Sequence, residues 1–176
     1  VIRVTSFHTA SLSDVSNSGM FIGDNGSTTQ ISGTITNSGS ITLDAAGGTT
    51  DLRLTADTSL TGGGTVTLAS TTAASNARVL GAFRLTNVDN TIQGEGNLGN
   101  NDALFTNQGT IDANVAGRTL TVDPGTSQPN GFINQGTLRA SNGGILFLTG
   151  NGGGGFSSTN GSAISAVGAG SEVQLS

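Results

Sequence analysis

His8 is the only histidine of this 176-residue chain, and cysteine is absent. A Ser–His–Asp arrangement would have to run through His8. A thiol nucleophile, a disulfide, a thiolate site or a His-rich zinc site cannot be built from this composition. His8 therefore reads as a strand or end-surface residue. Two sets of acids are spaced to meet if successive segments stack: Asp44, Asp51 and Asp57, and Asp102, Asp112 and Asp123. Paired carboxylates are what polysaccharide hydrolysis or elimination needs. Most of these stand beside Gly, Asn or Ala, where Asp commonly serves a turn, and there is no Lys to act as a base. The "GDNGS" stretch offers Asp24 and Asn25 to calcium, which takes about six to eight oxygens, and it reads as a turn. "NGGGGF" from Asn151 lacks the GK[ST] of a phosphate loop and reads as a loop bulging from the fold. The expectation is no catalytic residue, no bound metal and no cofactor.

The residues that recur are of another kind. "FTNQGTIDA" starts at Phe105 and "FINQGTLRA" at Phe132, and "VSNSGMF" from Val15 and "ITNSGSI" from Ile35 align with both. Asn17, Asn37, Asn107 and Asn134 share one position; Gly19, Gly39, Gly109 and Gly136 share another two residues on. The flanking apolar positions hold Val15, Ile35, Phe105 and Phe132, then Phe21, Ile41, Ile111 and Leu138. Steps of two place all of these on one face of an extended chain. A second phrase follows glycine turns and pairs Leu52 with Leu54, Leu120 with Val122, and Leu146 with Leu148. A third matches Leu60, Gly62, Gly64 and Val66 to Ile92, Gly94, Gly96 and Leu98.

Period two, with abundant Thr, Val and Ile, indicates strands. Glycine costs about 1 kcal/mol per helical position relative to Ala, so 29 glycines spread along the chain oppose helices. Strands this short, returning every 20 or 27 residues, predict an all-β solenoid whose turns each add one layer, with a β-sandwich as the alternative. Stacking would bring the asparagines into a ladder of amide hydrogen bonds, with Phe105 and Phe132 piled in the core. The glycines would allow tight corners and positive φ. Residues 1–176 read as a single domain.

Leu, Ile, Val and Phe supply 42 of 176 residues, enough for a shared core rather than a disordered tract. Six scattered Arg face eleven acids, for a net charge of -5; duplex nucleic acid and anionic membranes, which need clustered cations, are not the expected partners. No run is long and apolar enough for a helical membrane span. Trp and Tyr, the usual sugar-stacking residues, are absent.

The phrases "ITNSGSITL", "NTIQGEGNLGN", "FTNQGTIDA" and "FINQGTLRA" resemble the degenerate repeats of bacterial surface adhesins, of the autotransporter-passenger and filamentous-haemagglutinin type. Val15 to Leu148 carries some version of the pattern; neither a translocator barrel nor a recognisable secretion domain accompanies it. The resemblance implies a right-handed parallel β-helix, display at a bacterial cell surface or outside the cell, and a role in adhesion, matrix or fibres. Val1, Ile2 and Val4 at one end, and Val173 and Leu175 at the other, read as strands rather than as capping helices, and exposed strand edges pair with other chains. The expected function is a non-enzymatic structural or adhesive module stacking on itself, with another surface or glycans as further partners. A polysaccharide-processing enzyme or glycan-binding module on the same scaffold is the alternative.

Overall fold

A computed structural model describes every residue except 73–75, 127–129 and 152. Its described residues contain strands and no helix. The chain passes through β1 (Ile2–Val4), β2 (Thr9–Ser13) and β3 (Ser16–Asn17), then β4 (Met20–Gly23) and the long β5 (Thr28–Asn37). It continues with β6 (Ser40–Ala45) and the long β7 (Thr50–Thr61), then β8 (Thr65–Ser70), β9 (Ala77–Leu80) and β10 (Arg84–Asn87). Next come β11 (Thr91–Gly94), β12 (Gly96–Leu98) and β13 (Leu104–Asn107), then β14 (Thr110–Ala113), β15 (Thr119–Val122) and β16 (Phe132–Asn134). The last are β17 (Thr137–Ser141), β18 (Ile145–Leu148), β19 (Phe156–Ser158), β20 (Ala163–Val167) and β21 (Glu172–Leu175).

Each strand lies beside the equivalent strand of the next passage, never beside its chain neighbour. One sheet of eight strands runs β1-β4-β6-β8-β11-β14-β17-β20. The other, of 13 strands, holds two ladders fused through β5 and β7. One of them ends β9-β12-β15-β18-β21 and the other β10-β13-β16-β19. All the pairings are parallel, whereas an immunoglobulin-like sandwich is built from antiparallel pairs. Connections of about a dozen or more residues are what parallel neighbours demand, and here each connection is filled by the strands of the other ladders.

Alternation fills the interior. In the eight-stranded sheet Phe21, Ile41, Val66, Ile92, Ile111 and Leu138 stand one above another and are buried. In the second ladder Leu52, Val79, Leu98, Val122 and Leu148 do the same. Two register expectations are corrected. Leu52 stands in the column of Val122 and Leu148 rather than that of Leu120 and Leu146, because the buried Thr50, opposite Ala77, takes the inward position before it. Leu60 and Ile92 belong to different sheets, since Ile92 pairs with Val66 and Leu60 with Ile35 and Asn87; spacing alone cannot say on which side of a corner a phrase lies.

A third correction concerns the recurring phrase itself, which is two strands rather than one. In "FTNQGTIDA" β13 ends at Asn107 and β14 starts at Thr110. Between them the amides of Gln108 and Gly109 both point at the carbonyl of Asn87, at 2.7 and 3.1 Å. Sharing one acceptor turns the chain into the next sheet while Phe105, Asn107 and Ile111 stay buried.

Candidate functional site

The corner between β13-type and β14-type strands carries the densest side-chain chemistry. Asn17 Nδ2 donates to Asn37 Oδ1 at 2.8 Å, Asn87 Nδ2 to Asn107 Oδ1 at 2.9 Å, and Asn107 Nδ2 to Asn134 Oδ1 at 3.0 Å. The second amide hydrogen goes to the first carbonyl of the next layer: Ser40 for Asn17, Thr65 for Asn37, Thr137 for Asn107 and Ala163 for Asn134. A carboxamide has two donors and an acceptor with two lone pairs, and in the body of the stack this use satisfies it without water. Asn37, Asn87, Asn107 and Asn134 are accordingly buried.

Two members of this network escape the sequence pattern. Asn87 belongs to "LTNVDNTI", which has one residue more between Asn and the next apolar position than "FTNQGTI" has. The letters "LTN" match "ITN" and "FTN", and that was the available signal. Asn90 takes up the slack: its Oδ1 accepts from Asn37 Nδ2 at 2.9 Å, 53 residues away. That reach crosses a layer whose corner is Gly62-Gly63-Gly64, where a Cβ on Gly64 would stand 2.6 Å from Asn37 Nδ2. Gly62 and Gly64 are thus the window through which two displaced asparagine files join.

The four repeat glycines do not have positive φ, contrary to expectation. Their constraint is proximity. A Cβ on Gly39 would meet the Gly19 carbonyl oxygen at 2.0 Å, on Gly109 that of Asn90 at 2.4 Å, and on Gly136 that of Gly109 at 2.2 Å. Gly19, in the outermost layer, has nothing within 4 Å.

Charges are also spent between layers. Arg78 makes a two-pronged ion pair with Asp51 at 2.8 and 2.9 Å, and Arg139 holds Asp112 at 2.6 and 3.1 Å. Arg118 lies 3.6 Å from Glu95 and Arg3 pairs with Asp24. The hydrogen bonds that Arg78 and Arg139 donate to Asp51 and Asp112 raise the pKa of both guanidinium groups further above their ordinary range. The two sets of acids do not converge. Asp57 accepts the Arg84 amide at 2.9 Å and Asp102 that of Gly81 at 3.2 Å, and Asp44 is exposed. Among the described residues no three of His, Asp and Glu form a metal-holding group. Asn25 Oδ1 accepts the amides of Ala46 and Gly48 at 2.7 and 2.8 Å, tying one turn to the next. His8 Nδ1 lies 2.8 Å from the Ser6 carbonyl oxygen in an exposed turn. Within "NGGGGF", Gly152 lies outside the described residues.

Asp123 stands apart. Its Oδ1 is buried without a hydrogen-bond partner, and burial raises its pKa above the ordinary 3.8. A carboxyl whose folded pKa is raised contributes stability that is complete below its unfolded pKa and lost as pH rises through the folded value. Asp123→Asn is therefore expected to raise the thermal midpoint at pH 7, on the order of 1–3 °C. The gain should shrink as pH falls through about 4 and vanish below about pH 3, where the wild-type carboxyl is neutral in both states. Calorimetry at the two pH values checks this.

Phe105, Phe132 and Phe156 pile up at centroid distances of 5.7 and 5.5 Å, in the range for favourable tilted pairs. On the outer face of the eight-stranded sheet Ser40, Thr65, Thr91, Thr110 and Thr137 form one file of hydroxyl side chains in register. At the first layer Val4 is buried while Val1 and Ile2 are 86% and 61% exposed. At the last, Val173 is half-buried against the core and Leu175 is 75% exposed.

No protein-family model matches the chain, and no curated protein or solved structure does so either.

Proposed function

We propose that this chain is a right-handed parallel β-helix acting as a non-enzymatic structural or adhesive module outside the cell or at its surface, assembling end to end. The observation that carries the reading is the direction of its polar chemistry. Asparagine amides, ion pairs and corner amides link each layer to its neighbour along the stack instead of converging on a cleft. Right-handedness rests on the strong chiral preference of parallel crossovers, and the surface setting on the adhesin-like phrases. The Ser/Thr file on one sheet suits contact with a hydrated surface.

Exposed apolar side chains on the outermost described strands suit self-association: Val1 and Ile2 at one end, and Ile164, Val167 and Leu175 at the other. Eight strands at about 4.8 Å make a subunit roughly 35–40 Å long. Sedimentation velocity and negative-stain electron microscopy over a concentration series test the reading. Rods that lengthen with concentration, and that Leu175→Asp keeps at single-subunit length, are the expected result. A wild-type chain that remains one short rod at every concentration would refute assembly.

A further inference from the structure

On the flank of the stack, where β5, β7 and β10 lie side by side, the outer surface turns inward. Each of these strands has a neighbour on both edges, so the hollow belongs to the body of the fold. Its cause is a break in register. Between the pairs Ile31–Leu54 and Gly33–Thr58, β7 carries three residues, Thr55 to Asp57, where β5 has only Ser32. The extra length pushes β7 outward and leaves a groove of about 320 Å³, at the small end of the range for ligand sites.

One wall is a column of hydroxyls. Thr34 stands beside Ser59, and Ser59 beside Thr86, about 4.8 Å apart from layer to layer. Thr34 binds Asp14 Oδ1 through its amide, at 2.9 Å, and not through its hydroxyl. The other wall is Asp57 and Arg84. Asp57 Oδ1 accepts the Arg84 amide at 2.9 Å, which fixes the carboxylate and leaves Oδ2 to a ligand. Arg84 spends its guanidinium elsewhere, on the Phe105 carbonyl at 2.8 Å, Thr106 Oγ1 at 3.2 Å and the Asn130 carbonyl at 3.2 Å. It is a fixed wall rather than a free cation.

These groups select among ligands. Three hydroxyls can each donate and accept, while the carboxylate oxygen only accepts. An anion would meet Asp57 in the groove and Asp14 against Gly33. An apolar molecule would strip water from the hydroxyls and return no hydrogen bond. No aromatic ring lines the groove, so a flat ring system gains no stacking. A neutral molecule with several adjacent hydroxyls satisfies every group. The Thr65, Thr91 and Thr110 file on the eight-stranded sheet offers hydroxyls in register without Asp57 beside them.

We infer that this groove binds a neutral hexopyranose unit of a polysaccharide, with neighbouring sugar hydroxyls on Asp57 Oδ2, Ser59 and Thr86. The inference rests on the adhesive side of the function proposed above and is independent of end-to-end assembly.

The test titrates the whole isotope-labelled chain with cellotetraose, maltotetraose, mannotetraose and galactotetraose, and with tetragalacturonate as the acidic counterpart. At least one neutral sugar is expected to bind saturably in the millimolar range and to shift the amide signals of Thr34, Ser59 and Thr86. Ser59→Ala and Thr86→Val should each weaken binding about fivefold, the loss of one hydrogen bond. Asp57→Asn, which keeps an acceptor for the Arg84 amide, should weaken it at least as much. Thr110→Val, on the eight-stranded sheet, should change nothing.

Failure of all four neutral sugars to bind overturns the inference. So does tighter binding of tetragalacturonate, which would make the groove an anion site, or an equal loss in Thr86→Val and Thr110→Val, which would spread the contact over any hydroxyl surface. Sedimentation of the same samples separates this outcome from failure of the proposed function. Rods that lengthen with concentration while no sugar binds remove the groove alone; short rods that bind no sugar remove the assembling reading as well.

Discussion

Asn107→Ala is expected to lower the free energy of unfolding by about 2–4 kcal/mol, whereas Asn17→Ala should cost less than about 1 kcal/mol. The two residues occupy the same place in the repeat and differ in surroundings. Asn107 is buried, accepts from Asn87 and donates to Asn134 and to the Thr137 carbonyl. Its removal leaves the Asn134 carboxamide oxygen without its donor in a place water does not reach, and opens a void at the corner. Asn87 Nδ2 keeps the Asn90 carbonyl at 2.9 Å, which limits the loss. Asn17 starts the file in the outermost layer, where water replaces what is lost. Asn107→Asp should be worse than Asn107→Ala at pH 7, because it puts an unpaired anion against the Asn134 oxygen. Urea unfolding of the variants at fixed pH measures all of these. Equal losses at Asn17 and Asn107 would show that the file contributes no burial-dependent stability.

The second large effect is at the glycine beside the file. Gly136→Ala sets a methyl 2.2 Å from the Gly109 carbonyl oxygen and 2.5 Å from that of Gln108. Both are backbone atoms of the adjacent layer, fixed by their own corner, so the layers must separate to admit the methyl. A loss of more than about 3 kcal/mol follows, seen as a fall in thermal midpoint of roughly 6–12 °C or as failure to fold. Gly19→Ala, with open space around it and an ordinary φ, should change stability by no more than about 0.5 kcal/mol. If the two substitutions behave alike, glycine is needed at this corner for chain flexibility and not for the spacing of layers.

These contrasts show what a one-dimensional reading reaches. Asn17, Asn37, Asn107 and Asn134 were legible because their phrase survives nearly letter for letter, at separations of 20 and 27 residues. Asn87 was not, because one inserted residue in "LTNVDNTI" moved its apolar partner out of step. Asn90 was further hidden because its partner is two layers below. The strand content was visible in the alternation, but the bend inside each phrase was not, since Asn and Gly remain on the interior side whether the chain turns or runs straight. The ion pairs left no local trace. Arg78 and Arg139 each follow their acid by 27 residues, while Arg3 and Asp24 are 21 apart, so the pairing emerges only once the register of each layer is known.

The parallel, in-register layering underlies each of these expectations, and the cysteine-free chain allows a direct measurement of it. Thr106 and Ile133 are register partners in adjacent layers, and Thr86 stands one layer below Thr106 in the same column. Adjacent layers put the Cα atoms at about 4.8 Å, within disulfide range, and two layers at about 9.6 Å, beyond it. Under mild oxidation, Thr106→Cys with Ile133→Cys should close to near completion with the protein folded, while Thr86→Cys with Ile133→Cys should stay reduced. Closure of the Thr86 pair together with failure of the Thr106 pair would contradict the layered architecture, and with it the reading of this chain as an axial building element.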